Sequence, residues 1–190
     1  MAIKLDTTDA LIVVDVQNDF CPGGTLAVPH GDEVIPELNR WIHAAESANA
    51  GIFATRDWHP SDHVSFQARG GPWPPHCVQN TAGAEFHKAL ELPKDVPVIS
   101  KGVAADDDSY SNFDKTDLDR QLKARGSKRL WIGGLALDYC VMWTAIEATQ
   151  LGYEVHVIAD ASRPIGTSAQ EIMETNHQLN GAGVIVEGSL

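Results

Sequence analysis

Six short runs of apolar and β-branched residues recur along the chain, and segments with helical spacing lie between most of them. Each run is almost continuously apolar, which is typical of strands that are covered on both faces of a parallel sheet. The runs are residues 11–16, 52–55, 97–100, 130–133, 155–159 and 184–186. The pattern therefore predicts one central layer of strands with other elements packed on both sides.

Four segments between these runs carry apolar residues at helical spacing and end at or near a glycine. They are residues 34–50, 117–125, 139–151 and 168–179. In the last of them, Ser168 and Glu171 have the spacing of a capping box. The alternation of strand and helix predicts a three-layer α/β/α fold with a mostly parallel, Rossmann-like, six-stranded sheet.

The chain has 190 residues without an internal repeat or a linker, so we expect a single domain over residues 1–190. Residues 57–97 interrupt the alternation, because they are rich in Pro, Gly and His and contain no predicted helix. A loop of this length in a compact domain is usually functional. Aromatic residues within it favour an ordered insertion, and these are Trp58, Phe66, Trp73 and Phe86.

Acidic residues outnumber basic ones, since 26 Asp and Glu against 14 Lys and Arg give a formal net charge of -12. This charge repels phosphate backbones and anionic lipid, so we expect neither nucleic acid nor a membrane as a partner. We also expect no bilayer span and no export signal, because the apolar runs are short. Three scattered cysteines do not suggest a disulfide framework, which favours a cytoplasmic location.

Reactive side chains follow four of the predicted strands. Asp15 ends the first, Asp57 and His59 follow the second, Lys101 follows the third, and Cys140 comes shortly after the fourth. Ligands of open α/β sheets bind in the crevice beyond the carboxyl ends of the strands. We therefore expect these side chains to meet at one edge of the sheet.

Cys140 lies in or near the first turn of a predicted helix. A free cysteine is usually a small buried hydrophobe, but the N–H groups at a helix N-terminus favour a thiolate and can hold an oxyanion. If Asp15 and Lys101 reach the sulfur, Asp15 would move its proton and Lys101 would hold Asp15 ionised. Taken singly, an Asp at the end of a strand usually forms a hydrogen bond with the next turn, and a Lys after a strand is usually exposed to solvent. Asp138 is expected to cap the helix.

Asp57 and His59 project to the same side of an extended chain, and His76 follows two prolines further along the loop. One carboxylate and two imidazoles suit one divalent metal ion, with Zn preferred and Fe or Mn as alternatives. A single loop histidine is usually a surface residue, but the three together favour a metal site. His63 is either a further ligand or a support for one, with support preferred, and Cys77 is expected to be buried filler.

Several motifs, in order over nearly the whole chain, resemble the nicotinamidase branch of the isochorismatase-like cysteine hydrolases. They are residues 14–24, 56–60, 73–78, 101–102, 108–111 and 134–141. The metal loop is the most specific part of this resemblance, because many relatives keep the Asp, Lys and Cys without the metal ligands.

The resemblance implies an amidohydrolase that converts nicotinamide, or pyrazinamide, to the acid and ammonia through a thioester on Cys140. It implies that Asp15 is the general base and acid and that Lys101 is the charge partner. It also implies an oxyanion hole made by the backbone N–H groups of Ala136 and Cys140, beside a cis peptide bond between Leu135 and Ala136.

The resemblance further implies that Asp57, His59 and His76 ligate the metal, which would hold the pyridine nitrogen of nicotinamide. Phe20 and Trp73 match residues that contact the ring, although ordinary loop packing is the alternative for both. The implied partner is thus a small molecule, and the sequence leaves a homo-oligomer open.

One position departs from the family pattern, because Leu137 replaces a small hydroxyl residue and leaves the local hydrogen bonding and substrate range open. Three alternatives also stay open. They are a hydrolase in which the metal activates water and Cys140 only packs, a related enzyme for another small amide or vinyl ether, and a non-catalytic metal-binding homologue. A dinucleotide-binding dehydrogenase is disfavoured, because no G-x-G-x-x-G follows the first strand.

Overall fold

The computed structural model describes residues 3–188 as a three-layer α/β/α fold. Its strands are β1 Asp9–Val14, β2 Gly51–Asp57, β3 Val98–Lys101, β4 Arg129–Leu135, β5 Glu154–Arg163 and β6 Ile185–Glu187. Its helices are α1 Val34–Ser47, α2 Leu118–Arg125, α3 Met142–Gln150 and α4 Ala169–Gly181. All six predicted strands and all four predicted helices are present, so the predicted fold class is confirmed.

The sheet has the order β3-β2-β1-β4-β5-β6, and every pair of neighbouring strands is parallel. The chain builds outward from β1 in one direction and then from β4 in the other. Such a reversal point opens a crevice at the carboxyl ends of the two strands. Gly134 lies there with φ +137°, and a Cβ on it would be 2.0 Å from the Val14 carbonyl oxygen. Only glycine allows β1 and β4 to approach in this way.

The two faces of β1 contact two different hydrophobic clusters. Ala10, Ile12 and Val14 pack in a cluster with residues of α2, α3 and α4. Leu11 and Val13 pack in the other cluster, with α1. All five are fully buried, which is why the strand reads as a continuous apolar run.

Several element boundaries differ from the sequence expectation, and two of the differences bear on the site. Leu137–Val141 form a π-helical turn, and α3 begins only at Met142 rather than at Tyr139. β5 has ten residues, twice the predicted length. The predicted start of α4 is confirmed, because Ser168 and Glu171 form a capping box with Oγ accepting from the Glu171 amide at 3.2 Å.

The segment between β2 and β3 contains two short 3₁₀ turns, Gln67–Arg69 and Ala82–Ala84, and isolated bridges such as Phe66 with Trp73. Phe66 is fully buried between its histidine neighbours. This packing supports an ordered segment, while its definition as an insertion in a single domain stays a prediction. No helix within residues 3–188 is long and apolar enough to cross a membrane.

Candidate active site

Asp15, Lys101 and Cys140 lie together at the carboxyl ends of β1, β3 and β4, with Lys101 as the last residue of β3. Lys101 Nζ is 3.0 Å from Asp15 Oδ2 and 3.4 Å from Cys140 Sγ. All three residues are buried. The expected convergence of a thiol, a carboxylate and an amine is therefore present in the structure.

Asp15 is held in place directly after β1. Its backbone has φ +50°, in the left-handed region, and its carbonyl accepts from the Gln17 amide at 2.8 Å. Thr55 Oγ1 donates to Asp15 Oδ1 at 2.6 Å. Within the described residues, Oδ2 has no hydrogen bond of standard geometry, although it forms the ion pair with Lys101. One carboxylate oxygen is thus anchored and the other is available for proton transfer.

Lys101 connects this set to the metal loop. Asp57 and Lys101 are register partners on adjacent strands, and the Lys101 ammonium forms a close ion pair with Asp57 Oδ1. Burial alone would lower the pKa of Lys101, but Asp15 and Asp57 outweigh it and raise the pKa well above its usual value. Lys101 is therefore charged and serves two carboxylates.

Burial raises the pKa of the Cys140 thiol well above its usual value, with Lys101 opposing the shift and Asp15 adding to it. Burial likewise raises the pKa of Asp15, against the opposing charge of Lys101. The direction of this shift favours the protonated thiol, whereas a helix N-terminus was expected to favour the thiolate. The sulfur needs a base at the moment of attack, and a carboxylate oxygen of Asp15 lies within 4.8 Å of it.

Asp57, His59 and His76 form a compact group of potential metal ligands. The Nε2 atoms of His59 and His76 lie 3.6 Å and 3.9 Å from Asp57 Oδ2. Each Nδ1 is bonded to a backbone carbonyl, that of Gly102 at 3.0 Å and that of Pro74 at 2.8 Å. These bonds place the proton on Nδ1 and turn the Nε2 lone pairs toward Asp57. The donors fit a divalent metal ion with open positions.

His63 and Gly102 pack against the His59 ring and fix its position. His63 stacks on it with a centroid distance of 4.0 Å, and its own nitrogens bond Ser65 Oγ at 2.7 Å and the Asp107 carbonyl at 2.9 Å. This arrangement favours the supporting role over that of a further ligand. Gly102 has φ +60°, and a Cβ on it would lie 2.4 Å from the His59 ring. A glycine is required for His59 to occupy this position.

A cavity of about 420 Å³, including its open mouth, joins the sulfur to the metal loop. Cys140, Asp57, His59 and His76 all line it. The remaining wall is mainly aromatic and apolar: Phe20, Leu26, Trp73, Tyr110, Ala136, Tyr139 and Ile165. The predicted ring contacts thus lie in the same cavity as the predicted nucleophile and metal ligands.

The aromatic wall is tied together by several contacts. Trp73 Nε1 donates to the Tyr110 hydroxyl at 3.1 Å, and the Trp73 and Tyr139 rings meet edge to face at 5.1 Å. The Phe20 ring lies 5.6 Å from that of His76. A flat aromatic molecule fits the chemistry of such a wall.

The turn before Cys140 has the expected form. The peptide bond between Leu135 and Ala136 is cis, and Ala136 lines the cavity. The Ala136 carbonyl accepts from the Tyr139 amide at 3.2 Å and from the Val141 amide at 3.1 Å, and the Cys140 amide lies between these two donors. Leu137 is buried in the core beneath the turn and does not line this cavity.

Gln17 is a residue that the sequence analysis missed. Its Oε1 accepts from the Asp57 amide and its Nε2 donates to the Asp57 carbonyl, both at 2.8 Å, and Nε2 also donates to the Ala84 carbonyl at 2.9 Å. A single side chain thereby fixes the backbone that carries the metal-loop carboxylate. Its position two residues after Asp15, on the same side of an extended chain, was the available signal.

Asp19 was also missed, and Asp138 was assigned the wrong role. Asp19 accepts from the Cys77 amide at 2.7 Å, next to His76, and Cys77 itself is buried as expected. The expected helix cap by Asp138 is wrong. Its carboxylate instead accepts from the amides of Ile165 at 2.9 Å and Gly166 at 2.8 Å, because the π-helical turn directs it toward the loop after β5.

Comparisons with known proteins agree with this architecture. The isochorismatase domain family matches residues 9–186. A nicotinamidase of Escherichia coli (strain K12) is 39% identical over an alignment of 195 positions that covers 92% of each chain. A nicotinamidase of Acinetobacter baylyi is 43% identical, over 87% of this chain and 86% of the relative.

Solved structures give the same result. The pyrazinamidase of Pyrococcus horikoshii in complex with zinc has a TM-score of 0.90 and 46% identity, covering 95% of this chain and 98% of that one. PnC1 from L. infantum in complex with nicotinate has a TM-score of 0.88 and 36% identity, covering 98% and 96%. With matches of this extent in sequence and fold, the chain belongs to the isochorismatase family and, within it, to the nicotinamidase branch.

Proposed function

We propose that this chain is a nicotinamidase, which hydrolyses nicotinamide to nicotinate and ammonia and also accepts pyrazinamide. The observation that carries the proposal is that one cavity is lined by the Cys140 sulfur, by the aromatic wall and by the Asp57, His59 and His76 donors. The nicotinamidase relatives and the pyrazinamidase of P. horikoshii support the choice of substrate.

In the first half of the reaction, Asp15 takes the proton of Cys140 as the sulfur attacks the carboxamide carbon. The developing oxyanion is held by the backbone N–H groups of Ala136 and Cys140. Asp15 then gives its proton to the departing nitrogen, so ammonia leaves and a thioester remains on Cys140. Lys101 stays charged throughout and balances the two carboxylates beside it.

In the second half, water attacks the thioester carbon and passes a proton to Asp15. The Cys140 sulfur leaves and recovers this proton, which restores the resting thiol. The sum of the two halves is the amide and water going to the acid and ammonia, so atoms and charges balance.

We propose that Asp57, His59 and His76 hold one zinc ion, for which the zinc complex of the P. horikoshii relative is the support. When bound, the metal would supply a ligand site for the ring nitrogen and would thereby orient the carboxamide toward Cys140. Phe20 and Trp73, which both line the cavity, would then contact the ring.

Release of ammonia from nicotinamide by the zinc-loaded protein tests this function directly. A thioester on Cys140, trapped by acid quench and found by mass spectrometry, separates it from a metal-hydroxide mechanism in which the cysteine only packs. A loaded sample that is inert toward nicotinamide contradicts the proposal.

Cys21, Cys77 and Cys140 are unpaired, which supports a cytoplasmic setting as part of the same proposal.

A further inference from the structure

Asp138 belongs to the turn that carries Cys140, yet its carboxylate contacts neither the sulfur nor the start of the helix. Its two oxygens accept one hydrogen bond each, from the Ile165 amide at 2.9 Å and the Gly166 amide at 2.8 Å. Each amide has a single hydrogen, so this carboxylate occupies both donors. Hydrogen bonds to an ionised acceptor are roughly twice as strong as neutral ones. The loop after β5 is therefore fastened to the turn at this point.

Ile165 is the part of that loop that reaches the substrate cavity. Its side chain lines the cavity and also packs against the hydrophobic cluster on the α1 side of the sheet. At Gly166, an added Cβ would lie 3.3 Å from Asp138 Oδ2 and 3.0 Å from the Glu171 side chain. The absence of a side chain there lets the loop approach Asp138 closely.

Three consecutive residues of the turn thus serve three parts of one cavity. Cys140 supplies the sulfur, Tyr139 belongs to the aromatic wall with Trp73, and Asp138 fixes the wall residue Ile165. We propose that Asp138 is a positioning residue that holds Ile165 against the bound ring and so limits which ring substituents the enzyme accepts. The inference rests on the proposed function, because it concerns the selectivity of the same site.

The test compares nicotinamide with ring-methylated nicotinamides, using zinc-loaded wild type and the variant Asp138→Ala. Without the Asp138 carboxylate, the loop after β5 should move more freely and Ile165 should press less firmly on the cavity, while the Cys140 sulfur stays in place. We expect kcat for nicotinamide to fall by less than about threefold, and the relative kcat/KM for a methylated substrate to rise roughly tenfold, as loss of a charge-assisted contact suggests. Asp138→Asn keeps one accepting oxygen, and we expect a shift of about threefold.

Ile165→Ala should raise the same selectivity ratio, and the double variant should raise it little further, because both changes act through one side chain. Asn180→Ala is the control. It removes an exposed hydrogen bond to Asn176 Oδ1 within α4 and touches neither Asp138 nor the cavity, so the ratio should not change.

An unchanged ratio in both Asp138 variants overturns the inference, as does an equal loss of kcat/KM for every substrate, which is the result of a merely structural role. If Asp138→Ala does not fold, Asp138→Asn decides by the same ratio. Wild type that releases no ammonia from nicotinamide contradicts the proposed function instead, so the two failures are distinguishable.

Discussion

The sheet edge and the long segment between β2 and β3 build the site by different means. At the sheet edge, strand register places the side chains: Asp57 and Lys101 are register partners, and Asp15 follows β1. In the segment, His59 and His76 depend on hydrogen bonds from ring nitrogens to backbone carbonyls. The sheet therefore fixes Asp15, Lys101 and the ligand Asp57, while each of the two histidines in the irregular segment needs a polar contact of its own.

The strongest test of this division is Cys140→Ala, which removes the nucleophile and leaves the segment intact. We expect kcat/KM for nicotinamide to fall at least about 1,000-fold, as is typical when a nucleophile is lost. If Asp57, His59 and His76 hold the ion, zinc content should stay at the wild-type level. Cys140 also lies with Asp15 and Asp57 in a second group of potential ligands, so loss of zinc in this variant would place the ion there instead. Ammonia release and metal analysis measure the two effects, and parent-like activity would refute the thioester mechanism.

The complementary change is His76→Ala, which removes one ligand of the segment and leaves the sheet edge intact. We expect zinc content to fall and kcat/KM to drop roughly 100-fold, largely through KM, because orientation of the ring is lost. His87→Ala is the control, since His87 lies in the same segment outside the cavity. Retention of both the metal and the wild-type KM in His76→Ala would show that His76 is not a ligand.

Gln17→Ala sharpens the comparison, because Gln17 holds the Asp57 backbone at the junction of the two regions. We expect zinc affinity and kcat/KM to fall about tenfold, the lower end for residues that support a ligand. Asn39→Ala is a matched control, since its amide also donates to one backbone carbonyl of the segment, that of Ala89, and accepts from one backbone amide, that of Glu91, without contacting Asp57. Equal effects of the two changes on zinc affinity would argue against a role through Asp57.

The smallest effect is expected from Thr55→Val, in the pH profile. Burial raises the pKa of Asp15, and the Thr55 hydroxyl opposes this by donating to the ionised carboxylate. Its removal should raise the pKa further, so activity is lost at a higher pH on the acid side. We expect the acid limb of kcat/KM to move up by about 0.5 to 1 pH unit. A shift toward lower pH would exclude Asp15 as the base in this environment.

The sheet and the residues that follow its strands were predictable, because continuous apolar runs and residues just after them are local features of sequence. Asp15 and Cys140 were found in this way. Gln17, Thr55 and Asp138 act on groups that are distant in sequence, such as the Asp57 backbone or the Ile165 amide. Only strand register and loop geometry bring those partners together. The same holds for the resting thiol, since the extent of burial depends on the folded core.

The Lys101 ammonium, shared between Asp15 and Asp57, has a consequence for redesign. This one cation neutralises both Asp15, which transfers the proton, and Asp57, which is a metal ligand. A change to either carboxylate therefore alters the electrostatics of the other. Replacing Asp57 with a neutral residue would strip Lys101 of one counter-ion and tighten its hold on the other, making Asp15 a weaker base. Engineers who wish to exchange the metal should therefore keep a carboxylate at position 57 and vary the imidazoles.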